Sequence, residues 1–191
     1  FNLAVHPVSL LSLGEHSWIQ IANLIVTGLL YIAFGFGLRR VLGSGRGGLA
    51  GPLLFLFNGA ATIAGGVFTV DPMYGFPPGT PDGLPTALSW HAQVHNLTFM
   101  LAFLALMIAQ FVFARRFASV RQPGFAFYCL FTGLATPVLI VFSQTAPSLS
   151  GYILYGTGLM TNVWVALLAA RLSRELHTNS QWPPSTMRAA T

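Results

Sequence analysis

Lysine is absent from this 191-residue chain, and cysteine occurs once, at Cys129. A single cysteine inside an apolar run excludes an internal disulfide and leaves the redox compartment open. Charged residues make up 7% of the chain, against roughly 25% in a typical soluble domain. No Asp, Glu, Lys, Arg or His lies deep in any of its long apolar runs. Proton relays and ion-coupled transport depend on ionisable groups at such depth, so a pump or coupled transporter ranks low. Ser9, Ser12 and Ser89 carry no GxSxG elbow, which leaves serine-nucleophile chemistry without its usual signature.

What remains is a regular alternation of apolar runs and arginines. Five runs, at residues 17–38, 49–70, 93–114, 124–146 and 151–172, are long enough to cross roughly 30 Å of hydrocarbon at 1.5 Å per residue. The alternating polarity of barrel strands is missing, and backbone facing lipid must satisfy its own hydrogen bonds. The runs therefore read as helices, and the fold as an all-α polytopic transmembrane bundle. All nine cations are arginines, in three stretches: Arg39, Arg40 and Arg46; Arg115, Arg116 and Arg121; Arg171, Arg174 and Arg188. The other connections are acidic or neutral.

By the positive-inside rule the arginine stretches face the cytoplasm. Residues 1–16, the 71–92 connection and the 147–150 turn then lie outside, with Glu15, Asp71 and Asp82, while Glu175 lies inside. Trp18, Tyr74, Trp90, Tyr152 and Tyr155 fall near the outer boundary, where amphipathic rings are expected. The net charge of +5 does not point to nucleic acid, because the arginines are spread over three membrane-flanking loops. Membrane lipids and other membrane subunits are the expected partners, and a bacterial inner membrane is the expected location.

The chain opens at Phe1, and its first sixteen residues lie outside with nothing ahead of them to carry them there. A sixth helix upstream, giving both termini a cytoplasmic position, is the expected explanation; a cleaved signal sequence is the alternative. Residues 1–175 read as one transmembrane domain. Residues 176–191, with Trp182, Pro183 and Pro184, read as a short disordered cytoplasmic tail.

Inside the runs, small residues point to close helix packing: Ala60, Ala61, Ala64, Gly65 and Gly66 in the second, Gly151, Gly156 and Gly158 in the fifth. Packing within one bundle is the plain reading, and a homodimer seam the alternative. Pro137 should kink the fourth run. Uncharged polar groups are few: Asn23, Asn58, Gln110, Gln144 and Asn162. Asn162, nearest the midplane, should point into the bundle as an interhelical hydrogen bond or a ligand contact.

Chemistry, if present, belongs at the outer mouth. Four of the five histidines and three of the four acids map there. His91 and His95 are four residues apart, so on a helix they share a face. With Asp71 or Glu15 they could form a His, His, carboxylate metal site that activates water against an ester or amide. The intervening residues are Ala92, Gln93 and Val94 rather than an HExxH glutamate, so structural hydrogen bonding to loop carbonyls is the competing reading. The Pro- and Gly-rich loop that begins at Asp71 should be ordered, as a lid or docking surface.

Three motifs then resemble the bacterial family DUF998. They are His6-Pro-Val-Ser-Leu-Leu-Ser-Leu-Gly-Glu15-His-Ser-Trp18-Ile-Gln-Ile-Ala-Asn23, Gly65-Gly-Val-Phe-Thr-Val-Asp71-Pro, and Gly75-Phe-Pro-Pro-Gly-Thr, followed by a histidine at the head of the next run. The resemblance covers essentially the whole chain. It implies a six-helix membrane protein with Glu15, Asp71 and either His91 or His95 in one outer-face cluster that His16 adjoins, and it supplies no reaction, cofactor or ligand. The leading expectation is a non-catalytic multi-pass protein that binds lipid or serves as an accessory subunit of a larger membrane complex. One alternative is a metal-dependent hydrolase of lipid head groups, with Asp71, His91 and His95 as ligands. Another is a pigment- or haem-associated accessory subunit of a respiratory or photosynthetic complex.

Overall fold

The computed structural model describes residues 1–180. Five long helices follow one another: α1 Ser17–Leu42, α2 Ala50–Val67, α3 Trp90–Ser119, α4 Pro123–Thr145 and α5 Ser150–Ser180. Each contains a stretch long and apolar enough to cross a membrane, with mean hydropathy from 1.4 in α2 to 2.3 in α3. Among the described residues there is no strand, so the all-α bundle read from the sequence is the architecture observed.

Most helices outrun their apolar segments. α1 continues through Arg39 and Arg40, and α3 through Arg115 and Arg116. Extending a formed helix adds one hydrogen bond per residue, and cations near a helix C-terminus suit its dipole. The same continuation carries α5 through residues 176–180, where a disordered tail was expected. Trp182, Pro183 and Pro184 lie outside the described residues. α2 instead stops at Val67, three residues early, because Phe68 turns to an extended conformation (φ −94°, ψ 112°) that leads the chain into the 71–89 loop.

Consecutive helices pack as neighbours, and α1 and α2 share the most extensive contact. α2 is central, with 50% of its apolar window buried; α5 is peripheral, with 22%. Glycine makes the α1–α2 contact possible. A Cβ at Gly28 would sit 2.6 Å from the Gly59 carbonyl oxygen, and one at Gly59 would sit 2.5 Å from that of Gly28. The two backbones touch, and no larger residue fits at either position. Gly65 similarly receives the Phe99 ring and Gly66 the Leu24 side chain. The small residues of α5 behave otherwise. Gly151 lies beneath the backbone of Leu3 and His6, whereas a Cβ at Gly156 or Gly158 would face open space among the described residues.

The interior divides into two halves along the bundle axis. Toward the arginine end it is aromatic. Trp164 stacks on Phe55 (6.1 Å between centroids, 8° between planes) and meets Phe113 edge-on. Its indole N–H donates to the Cys129 sulfur at 3.2 Å. Phe117 and Phe125 continue the column in a T-shaped pair at 4.7 Å, and Arg171 covers Phe125 from outside. Toward the histidine end the buried polar side chains Asn58, Thr62, His95, Thr136, Thr157 and Thr161 sit among small and aliphatic residues such as Leu24, Ala102 and Ala105.

At the arginine end the connections are tied together. Arg116 pairs with Glu175 at 3.3 Å and donates to the Arg46 carbonyl, while Gln122 donates to the other Glu175 oxygen. One side chain thus joins the α1–α2 connection to α5.

Candidate functional site

The residues with chemical potential gather at the opposite end. Residues 1–16 form a strap across it, with a short 3-10 turn at Val8–Ser12. His6 anchors the strap. Its Nδ1 accepts from the Asn2 N–H at 2.9 Å and its Nε2–H donates to the Tyr74 carbonyl at 2.9 Å. The Gly151 N–H donates to the Ala4 carbonyl, and the Ser150 hydroxyl to that of Val5. The strap therefore bridges the 71–89 loop and the start of α5, and the Phe1, His6 and Phe76 rings pack against one another.

The loop is ordered by its own backbone. Tyr74 and Gly75 donate to the Gly83 and Pro81 carbonyls, with positive φ at Tyr74, Gly75 and Gly83. Asp71 closes it. The Ser89 N–H and hydroxyl donate to the two Asp71 carboxylate oxygens at 2.7 and 2.6 Å, so one side chain joins the first and last residues of the loop. Ser89 is also the N-cap of α3, its oxygen accepting from the Ala92 N–H.

His95 has a comparable structural task. It is 3% exposed, and its Nδ1–H reaches the carbonyls of Gly65 at 2.9 Å and Phe68 at 2.8 Å. Those are carbonyls at the end of α2, where the helix supplies no further N–H, so the imidazole caps α2 from α3. His91, one turn earlier, is exposed and its ring packs at a tilt against those of Trp90 and Phe68. Glu15 and His16 remain exposed ahead of α1, and His16 makes no side-chain cap.

The five residues singled out in the sequence therefore share an end of the bundle without forming one cluster. Asp71 is taken by Ser89, and His95 by α2. Among the described residues no three His, Cys, Asp or Glu side chains converge to hold a metal ion. Asp71, His91 and His95 are thus not among side chains that so converge. Of the two helical histidines, only His91 presents its ring to the surroundings.

The intrabundle amides differ from each other. Asn58 is buried, and its Nδ2 donates to the Ala102 carbonyl of α3 at 2.8 Å. Asn162 accepts the Tyr31 hydroxyl of α1 at 2.9 Å, an interhelical bond as expected, but it lies on the exposed margin of the bundle rather than inside. The marginal position follows from the loose seating of α5. Sequence reasoning did not pair His6 with Tyr74 or Asp71 with Ser89. A serine directly before an apolar helix is a legible N-cap signal for the second; the first has no local signature.

Five apolar helices with their cations at one end define a multi-pass integral membrane protein. Within that class the chain belongs to DUF998, a family described as proteins of unknown function, whose profile matches residues 1–171. No curated protein and no solved structure matches it.

Proposed function

We propose that this protein is a non-catalytic, lipid-binding component of a bacterial inner membrane, with its arginine end in the cytoplasm. The observation that carries this reading is a shallow, open apolar depression on the outward face of α4, lined by Phe127, Leu130, Phe131, Leu134, Ala135 and Val138. The lining carries no polar group, so its chemistry suits a hydrocarbon chain rather than a head group. The polar residues of the opposite end support the same reading, because their hydrogen bonds hold strap, loop and helix ends in place.

A second reading, an accessory subunit of a larger complex, has its own observation. Gly156 and Gly158 leave open space on α5, whereas Gly28, Gly35 and Gly59 at the α1–α2 contact are filled by the neighbouring helix. Native mass spectrometry after gentle extraction separates the two. Retained phospholipid that is lost in Ala135→Trp, which fills the depression, supports the lipid reading. Lipid retention unchanged by that variant, together with stoichiometric protein partners, transfers the assignment to the subunit reading. A stoichiometric zinc or iron lost in His91→Ala overturns both.

A further inference from the structure

The apolar depression on α4 has a defined place along the helix as well as a lining. α4 starts at Pro123, at the arginine end, and the lining begins at Phe127, about 6 Å further on at 1.5 Å per residue. From Phe127 to Val138 it extends roughly 16 Å, about half of the 30 Å hydrocarbon layer. It therefore matches one leaflet, the one on the arginine side. Phe127 and Phe131 stack along it, 6.4 Å between centroids and 25° between planes, and form a flat aromatic wall.

A phospholipid of that leaflet carries its phosphate at the level where α4 begins. Arg121 stands there, exposed, in the turn two residues ahead of Pro123. Arg171 reaches the same helix end from α5, its guanidinium 5.4 Å from the centre of the Phe125 ring. Charge at this end is one-sided. All the arginines except Arg188 lie among the described residues, and all of those are at this end, against the single acid Glu175. Glu175 is already engaged by Arg116 and Gln122. A zwitterionic head group would bring an ammonium into that positive field, whereas an anionic one brings negative charge alone. The attraction of surface cations for anionic lipid falls off within a Debye length, so the arginine nearest the depression counts most.

Given the lipid-binding function proposed above, on which this rests, we infer that the lipid is an anionic phospholipid of the arginine-side leaflet. One acyl chain lies in the depression from Phe127 to Val138, and the phosphate sits at Arg121. The apolar lining takes any chain of sufficient length, and Arg121 selects the head group.

The test uses the full chain in nanodiscs of equimolar phosphatidylglycerol and phosphatidylethanolamine with identical acyl chains. Native mass spectrometry then counts the lipids of each kind that stay bound on release. Retained phosphatidylglycerol is expected to exceed phosphatidylethanolamine about fivefold, the factor that one surface arginine supplies against an anionic head group. Arg121→Asn should bring the ratio close to one. Arg121 has φ 58°, a conformation that asparagine tolerates, so this variant removes the charge without straining the turn. Arg40→Gln, at the end of α1, should leave the ratio unchanged. Equal retention of the two lipids by the wild-type protein overturns the inference and leaves the lipid-binding reading standing; this arm requires no variant to fold. Retention of neither lipid overturns both. Enrichment that survives Arg121→Asn, or that Arg40→Gln abolishes equally, overturns the inference alone, because the head group then answers to the positive surface as a whole.

Discussion

At the arginine end the interior of the bundle is a column of rings, and at the histidine end it is a set of hydrogen bonds. Trp164, Phe55, Phe113, Phe117 and Phe125 fill the first by shape, and the bond from the indole N–H to Cys129 is its polar link. In the second, Asn58 bonds to α3, His95 caps α2, and the threonines bond back to their own helices. Lipid is as apolar as leucine, so burial of apolar surface gives little drive to bring membrane helices together. Close packing and a few polar contacts remain, and the two halves of this bundle divide those two resources between them. The arginine end leaves two buried atoms unpaired, Arg116 Nε and Gln122 Oε1, and deeper in the bundle three amide atoms are unmet, on Asn58 and Gln110.

This contrast is open to direct attack by substitution. The largest effect is expected from Trp164→Ala, which removes the ring contacted by α2, α3 and α4. It should lower the unfolding free energy in mild detergent by about 3–5 kcal/mol. A cost below that of the polar-half variants would break the contrast. Gly59→Val, placed between the halves, should force α1 from α2 and cost about 1–3 kcal/mol by overpacking, read in the same titration. Asn58→Leu removes one interhelical hydrogen bond and one unmet oxygen together, so a loss of only about 0.6 kcal/mol is expected. His6→Ala should change global unfolding least. Its signature is faster hydrogen exchange in residues 1–7 and 71–89 with the helices unaffected, and unchanged exchange there would show that the strap does not depend on His6.

Five helices were legible because uniformly apolar runs of that length admit few other structures, and the arginines between them mark the turns. Their ends were less so. Helix continuation past the apolar boundary is decided by backbone bonding, and residues 176–180 follow it despite their polarity. At the histidine end the sequence pointed to Asp71 and His95, both of which hold the structure together, but not to their partners. Two of those partners are main-chain carbonyls, of Gly65 and Phe68, and a carbonyl has no sequence signature. Spacing placed His91 and His95 on one face, yet it could not show that α2 covers one and leaves the other exposed. The contact between Gly28 and Gly59 was hidden for a related reason: it depends on the register of two helices rather than on either one.

The pairing of Arg116 with Glu175 also bears on the order in which the protein is made. α1 and α2 are consecutive, joined by a short turn and fitted through adjoining glycines, so they can settle against each other as soon as both have been synthesised. Arg116 cannot meet its carboxylate until the fifth helix has arrived, 59 residues later. Until then the guanidinium that reaches the Arg46 carbonyl lacks its countercharge, and the arginine ends of the earlier helices are not yet joined to the last. The arrival of the fifth helix is thus registered at the ion pair of Arg116 with Glu175, which ties that helix to the connection between the first two.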